Sequence, residues 1–265
     1  MTGVLVAAGL LLTPGCGSGG GDAKTMILAT TTSTRDTGLL DAILPSFQKS
    51  SDCVPKTVAV GSGQAMTMGE KGNADVLLVH SPEAEQKFMA AGHGSSREPV
   101  MHNDFVLVGP PEDPAKTGDA SDAAGAMRLI AEKKAPFASR ADESGTHAKE
   151  KGLWEKAGST PSGGWYIETG QGMSQTLTIA SQKQAYTLSD RGTFLAGENL
   201  DSKIVFEKTP DLLNPYHVIV VKGAAGTACA QKFSEWIRSQ PVQRTIGAFG
   251  VQKYGQPLFF PDASS

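Results

Sequence analysis

From Lys24 onward, short apolar runs alternate with stretches whose apolar positions recur every three or four residues. MILAT (26–30), TVAV (57–60) and DVLLVH (75–80) read as strands, and 38–50 and the residues after Ser62 read as helices. A β-branched run, a glycine-bearing loop and an amphipathic helix, repeated, predict a mostly parallel sheet with helices on both faces. NDFVLVGP (103–110) is the next strand, and the Pro/Asp/Gly-rich stretch 110–120 marks a crossing into a second unit. That unit has predicted helices over 121–134, 146–157 and 172–183, and strands at APFASR (135–140), AYTLSD (185–190) and KIVFE (203–207). YHVIVVK (216–222) returns as a strand, and 229–239 is a helix with Phe233, Trp236 and Ile237 on one face. The expected architecture is α/β with two lobes, 25–107 plus 216–265 forming one and 108–215 the other, with a cleft between them suited to closing on a ligand.

Ahead of this body, the nine residues 4–12 are apolar, and Thr13-Pro14-Gly15-Cys16 leads into the glycine-rich run 17–21. Nine residues fall short of the ~20 that cross a bilayer as a helix but suit the centre of a secretion signal. The expectation for residues 1–24 is a leader and linker, with Cys16 the lipidated first residue of a bacterial lipoprotein; plain secretion and a disordered leader are the alternatives. The product would then be periplasmic or held at the cell surface, touching a membrane only through that lipid. In such a compartment Cys53 and Cys229 either pair as one disulfide or remain two separate buried thiols.

Composition narrows the function. With 265 residues, 39% of them hydrophobic, the chain can bury a sizeable core and is not disordered. Lys plus Arg at 24 against Asp plus Glu at 27 leaves a net charge of −3, no footprint for a nucleic-acid backbone.

Three segments concentrate hydroxyls and glycine where a strand runs into a helix: TTTSTRDTGLLD (30–41), VGSGQAM (60–66) and SRADESGTHAKE (139–150). The first amides of a helix have no partner inside it, and the helix dipole favours negative charge there, so each segment is either an ordinary N-cap or part of an anion cradle. Three such segments together, with Arg140 adding a planar fork of donors, favour an oxyanion site. Other chemistry finds little support. Ser144 and His147 lack a G-x-S-x-G elbow and an orienting acid. His80, His93, His102, His147 and His217 show no metal-ligand spacing, and GQG (170–172) lacks the glycine pattern of a nucleotide loop. Asp190 and Arg191 in YTLSDRG (186–192) either pair at the surface or line the cleft.

Taken in order, TTTSTRDTGLLD, AVGSGQAM, ADVLLVHSPEAE, SRADESGTHAKE, WYIETGQGM, QAYTLSDRGT and KYGQPLF resemble the tungstate-binding proteins of bacterial tungstate ABC importers, over nearly the whole chain after about residue 25. The resemblance implies a class II periplasmic-binding-protein fold, two α/β lobes on a two-strand hinge, that binds tungstate or molybdate in the cleft and serves an ABC transporter permease. It further implies no cofactor and no enzymatic activity, and a monomer is the simplest reading of a binding protein with no exposed apolar helix pattern. The oxyanion ligands it implies are Thr31, Thr32 and Ser33, then Ser62 and Gly63, then Arg140, Ser144, Gly145 and Thr146. Where the family motif reads S-R-G-D-x-S-G, this chain has Ala141 in the glycine position. The alternatives are a phosphate or sulfate binder of the same fold, with Asp142 or Glu143 receiving the phosphate proton, an extracytoplasmic phosphate- or sulfate-ester enzyme, and a sensory subunit.

Overall fold

The computed structural model describes residues 24–263. The expected leader, with Cys16 as its lipidation point, lies outside the described residues.

The chain opens as β1 (Lys24–Thr31), α1 (Thr32–Asp36), α2 (Leu39–Ser51), β2 (Cys53–Val60), α3 (Ser62–Glu70), β3 (Val76–Val79), α4 (Pro82–Ala90) and β4 (Gly94–Gly109). It continues through α5 (Ala123–Lys133), β5 (Phe137–Ser139), α6 (Gly145–Lys156), β6 (Tyr166–Glu168), α7 (Met173–Gln182), β7 (Thr187–Asp190), α8 (Arg191–Ala196) and β8 (Lys203–Phe206). It ends with β9 (Leu213–Val221), α9 (Thr227–Ile237), α10 (Gln240–Ala248), α11 (Val251–Tyr254) and β10 (Phe260–Pro261).

β2, β1 and β3 are parallel neighbours, as the βαβ rhythm predicts. β9 then runs antiparallel to β3, and β4 antiparallel to β9. β4 is sixteen residues long and starts nine residues earlier than the apolar pattern suggests. Its first part, SSREPV, is polar and holds a proline, which reads as loop. The strand accommodates Pro99 beside a register shift between Pro99 and Met101, the kind of irregularity where a strand tolerates a missing donor. α4 was also invisible as a pattern, yet its start is well marked. Pro82 occupies the first turn, where no amide is needed, and Glu85 Oε1 accepts the Ser81 amide at 2.7 Å.

β4 ties the two halves of the fold together. Gly94 to Asp104 pair with β9, whereas Phe105 to Gly109 pair with β7 and β8. β5 and β6 pair in parallel, and Phe137 bridges Tyr186 just before β7. One apolar cluster packs Leu39, Ile43 and Phe47 of α2 against Phe233 and Ile237 of α9 and the neighbouring strands. A separate cluster gathers Phe105, Met127, Ile130, Phe137, Trp154 and Tyr186. Cys53 and Cys229 form a disulfide that staples the start of β2 to α9, so the pairing left open by the sequence is a bond.

Candidate functional site

β1 ends in Thr31, which caps α1: its hydroxyl accepts the Thr34 amide at 3.2 Å. The same oxygen lies 2.6 Å from the Thr34 hydroxyl and 3.1 Å from that of Ser33. All three residues are buried, so their polar atoms are satisfied mainly by one another. His80, just past β3, closes this cluster from behind. Its Nε2 lies 3.2 Å from Thr31 Oγ1 and 3.4 Å from Ser33 Oγ, and its Nδ1 2.9 Å from Asn214 Oδ1. Asn214 in turn donates to Asn103 at 2.7 Å, where β9 and β4 cross between the two halves. Burial pushes the His80 pKa down to about 4, so the ring is neutral at physiological pH, and it stacks on Tyr216 at 4.5 Å. Ser62 opens α3 after Gly61; its hydroxyl is buried and has no hydrogen-bond partner among the described residues.

The second half of the site begins where β5 ends. Arg140, only 2% exposed, places Nη2 at 2.5 Å from Asp142 Oδ2 and 3.5 Å from Thr32 Oγ1, and Nη1 at 3.4 Å from Thr146 Oγ1. Its Nε is buried with no partner among the described residues. Ser144 caps α6, its hydroxyl accepting the His147 amide at 3.2 Å. Gly145 and Thr146 form the first turn of that helix and are buried. Ala141, in the position the family motif gives to glycine, adopts φ +47°, and Glu143 φ +55°. The left-handed turn is therefore kept at the cost of Cβ strain.

The two halves meet. A Cβ on Gly145 would come within 2.9 Å of the His80 carbonyl oxygen and 3.1 Å of Ser62 Oγ, and one on Gly63 within 3.1 Å of the Glu143 carbonyl oxygen. Ser174 on α7 donates to Asp36 on α1 at 3.1 Å beside them. The fold thus gathers all nine residues singled out in the sequence at one junction: Thr31, Thr32 and Ser33 at β1–α1, Ser62 and Gly63 at β2–α3, and Arg140, Ser144, Gly145 and Thr146 at β5–α6. His80, Asn214 and Asn103 were not singled out. A lone histidine closing a strand carries no spacing signal, and only the fold shows it behind the hydroxyls.

Other expectations meet a different outcome. Asp190 and Arg191 do not pair with each other. Asp190 is fully buried and accepts the Thr193 amide and hydroxyl at 2.8 and 2.7 Å as the cap of α8. Arg191 turns to Asp104 and Glu207. The His147 imidazole faces the Glu143 amide at 3.2 Å, while only its backbone reaches Ser144, so the pair has no nucleophile–base geometry. Asp142 is engaged by Arg140 and by the Ser144 amide, and the Glu143 side chain is 75% exposed beside Lys151. Neither offers a free buried acceptor for a protonated anion. Among the described residues no group of three His, Cys, Asp or Glu side chains is placed to hold a metal ion. What converges at the junction is a set of hydroxyl, amide and guanidinium donors, an arrangement that suits a fully deprotonated oxyanion.

A family model described as a PBP superfamily domain matches residues 17–241. The chain is 49% identical over 249 residues to the tungstate-binding protein TupA of Peptoclostridium acidaminophilum, covering 90% of this chain and 86% of that one. It is 44% identical over 261 residues to a putative ABC transporter anion-binding protein of Haloferax volcanii, covering 95% and 76%. Among solved structures, the tungstate-binding protein TupA from Desulfovibrio alaskensis superimposes with a TM-score of 0.76 at 41% identity, over 91% of this chain and all of that one.

Proposed function

The chain belongs to the PBP superfamily, and from that membership we propose that it is an extracytoplasmic solute-binding protein that captures tungstate, or its near-twin molybdate, for the permease of an ABC importer. The observation that carries this reading is the pair of buried, unpartnered donors at the junction, Ser62 Oγ and Arg140 Nε, one from each half of the site. A buried donor without an acceptor costs about 1–3 kcal/mol, so two of them, one belonging to a buried guanidinium, define a place that an anion stabilises. Thr31, Thr32, Ser33, Ser62, Gly63, Arg140, Ser144, Gly145 and Thr146 supply its shell. A dianion gives up a large hydration energy on entry, and donors from both halves replace that hydration together.

In this reading the two lobes flex where β4 passes from pairing with β9 to pairing with β7 and β8, at Asp104–Phe105 and so a few residues before the boundary expected at 107–108, and bound ligand shifts the population toward the closed form. That form is the one presented to the permease. Among the described residues no helix is long and apolar enough to cross a membrane, and attachment falls to a lipid on Cys16. The protein binds without turnover. A phosphate-binding site is disfavoured by the commitment of Asp142 to Arg140 and the exposure of Glu143.

A thermal-shift panel with tungstate, molybdate, sulfate, phosphate and chromate tests the assignment. A ligand bound only by the folded state at 100 times its Kd adds about 2.7 kcal/mol to stability. Tungstate and molybdate are expected to raise Tm, and sulfate and phosphate to leave it unchanged. A phosphate shift equal to that of tungstate would overturn the selectivity; no shift with any of the five would overturn the function.

A further inference from the structure

α6 starts at the site and carries, less than two turns further on, a carboxylate for which oxyanion binding has so far needed no role. Glu150 is 2% exposed, and its hydrogen-bond partners among the described residues are all neutral. Oε1 accepts from the Tyr166 hydroxyl at 2.7 Å and from Trp154 Nε1 at 3.1 Å; Oε2 accepts from the Ser139 hydroxyl at 2.8 Å. Ser139 is the last residue of β5, directly before Arg140, and its Oγ also accepts the Ala141 amide at 3.2 Å. Its carbonyl oxygen is held by Thr169, from amide and hydroxyl, at 2.9 Å each. The residues on both sides of Arg140 are therefore tied, through one hydroxyl, to a carboxylate on the helix whose first turn presents Ser144, Gly145 and Thr146.

We propose that Glu150 is a positioning residue for the oxyanion site: through Ser139 it fixes the left-handed turn at Ala141, and with it the placement of the Arg140 guanidinium relative to the start of α6. The inference rests on the oxyanion reading above. Burial without a charged partner is an expensive way to fill this space, since a neutral side chain of the same shape would be cheaper to desolvate. Burial indeed pushes the Glu150 pKa up to about 7. What the carboxylate supplies that an amide lacks is a second acceptor oxygen. Glutamine can accept from Tyr166 and Trp154, but its NH2 then faces Ser139, and the serine hydroxyl loses the acceptor that orients it. A ligand shell held loosely by its supporting groups forfeits affinity even when every direct donor remains.

The test measures tungstate affinity by calorimetry and Tm without ligand for the full-length wild type, Glu150→Gln, Ser139→Ala and the double variant. Expected are a Tm for Glu150→Gln no lower than wild type and a Kd at least tenfold weaker in each single variant. The double variant should bind no more weakly than the weaker single, because both substitutions break one relay. A purely structural carboxylate would lower Tm and leave the affinity of the folded protein alone. Wild-type affinity in Glu150→Gln, or losses that multiply in the double variant, would overturn the proposal while the oxyanion assignment stands. If Glu150→Gln fails to fold, Ser139→Ala decides alone, with wild-type affinity again overturning it. A wild type that binds none of the oxyanions removes the site and this inference together.

Discussion

The two halves of the junction bring donors to the same place by different physical means. In the first, Thr31, Ser33 and Thr34 bond one another behind a neutral His80, and no side chain in that cluster carries charge. The chain around it is regular, with three parallel strands beneath and a disulfide between β2 and α9. In the second, a buried guanidinium, its Asp142 partner, a buried carboxylate and two left-handed non-glycine residues lie within a dozen positions of sequence. Uncharged hydroxyls can be satisfied in a dry place by one another, so the frame around them can stay relaxed. A buried cation must be matched by anions and by an exact backbone path, and the strain collects there. Stability should therefore be most sensitive to change in the first half, and ligand affinity in the second.

The largest effect expected from this contrast concerns stability alone. Replacing Cys53 and Cys229 by alanine removes a link between positions 176 residues apart and should cost about 2–5 kcal/mol in urea denaturation. Tungstate affinity of the folded double variant should be unchanged, because the bond lies in the frame and touches none of the donors. A large loss of affinity at full folding would mean that the frame and the ligand shell are not separable.

Next in size is Arg140→Ala. Charge-assisted hydrogen bonds contribute about 1.5–3 kcal/mol each, so calorimetry should show tungstate binding by the folded variant weakened by at least that much. Arg140→Lys keeps the charge and loses the planar fork, and it should recover only part of the loss. Wild-type affinity in Arg140→Ala would remove the guanidinium from the site.

The halves should also differ in how pH acts on them. His80 has its pKa lowered by burial from 6.5 to about 4, so the unfolded chain binds its proton first. Its contribution to stability is full above 6.5 and is lost as pH falls toward 4. Glu150 is the reverse. Its pKa is raised by burial from 4.5 to about 7, so its contribution is full below 4.5 and is lost as pH rises through 7. Subtracting the pH–stability curve of His80→Gln from that of wild type should give a difference that rises with pH between about 4 and 6.5. The same subtraction for Glu150→Gln should give one that falls between about 4.5 and 7. Two slopes of the same sign would show that one of these groups does not titrate as its surroundings dictate.

How far the sequence could be read follows the same division. The β1–α1, β2–α3 and β5–α6 junctions were legible because a strand period passing into a helix period leaves a local trace, and the hydroxyls sit at the change. The alternation of elements gave the fold for the same reason. What stayed hidden depends on distant chain. The first nine residues of β4 look like loop until β9 supplies their partners, and Cys53 meets Cys229 only after the sheet is assembled. His80 and Asn214 are 134 positions apart and signal nothing singly. The Asp190–Arg191 neighbours invited a pairing that the fold does not make, because at a strand-to-helix turn the aspartate caps the helix while the arginine, also buried, turns to Asp104 and Glu207.

The smallest effect expected is also the one that isolates strain from contact. Ala141 sits at φ +47°, where a Cβ costs roughly 1–2 kcal/mol, while glycine there gives back part of the gain through the greater freedom of the unfolded chain, about 0.5–1 kcal/mol. Ala141→Gly should therefore stabilise the protein by roughly 0.5–1 kcal/mol, read as a small rise in Tm. The substitution removes no hydrogen bond, since the Ala141 amide keeps its place on Ser139 Oγ. Tungstate affinity should hold or improve slightly if the left-handed turn is the geometry that binding requires. A lower Tm together with weaker binding would mean that the alanine methyl stabilises the turn by packing, and that the strain assigned to this half of the site has been misplaced.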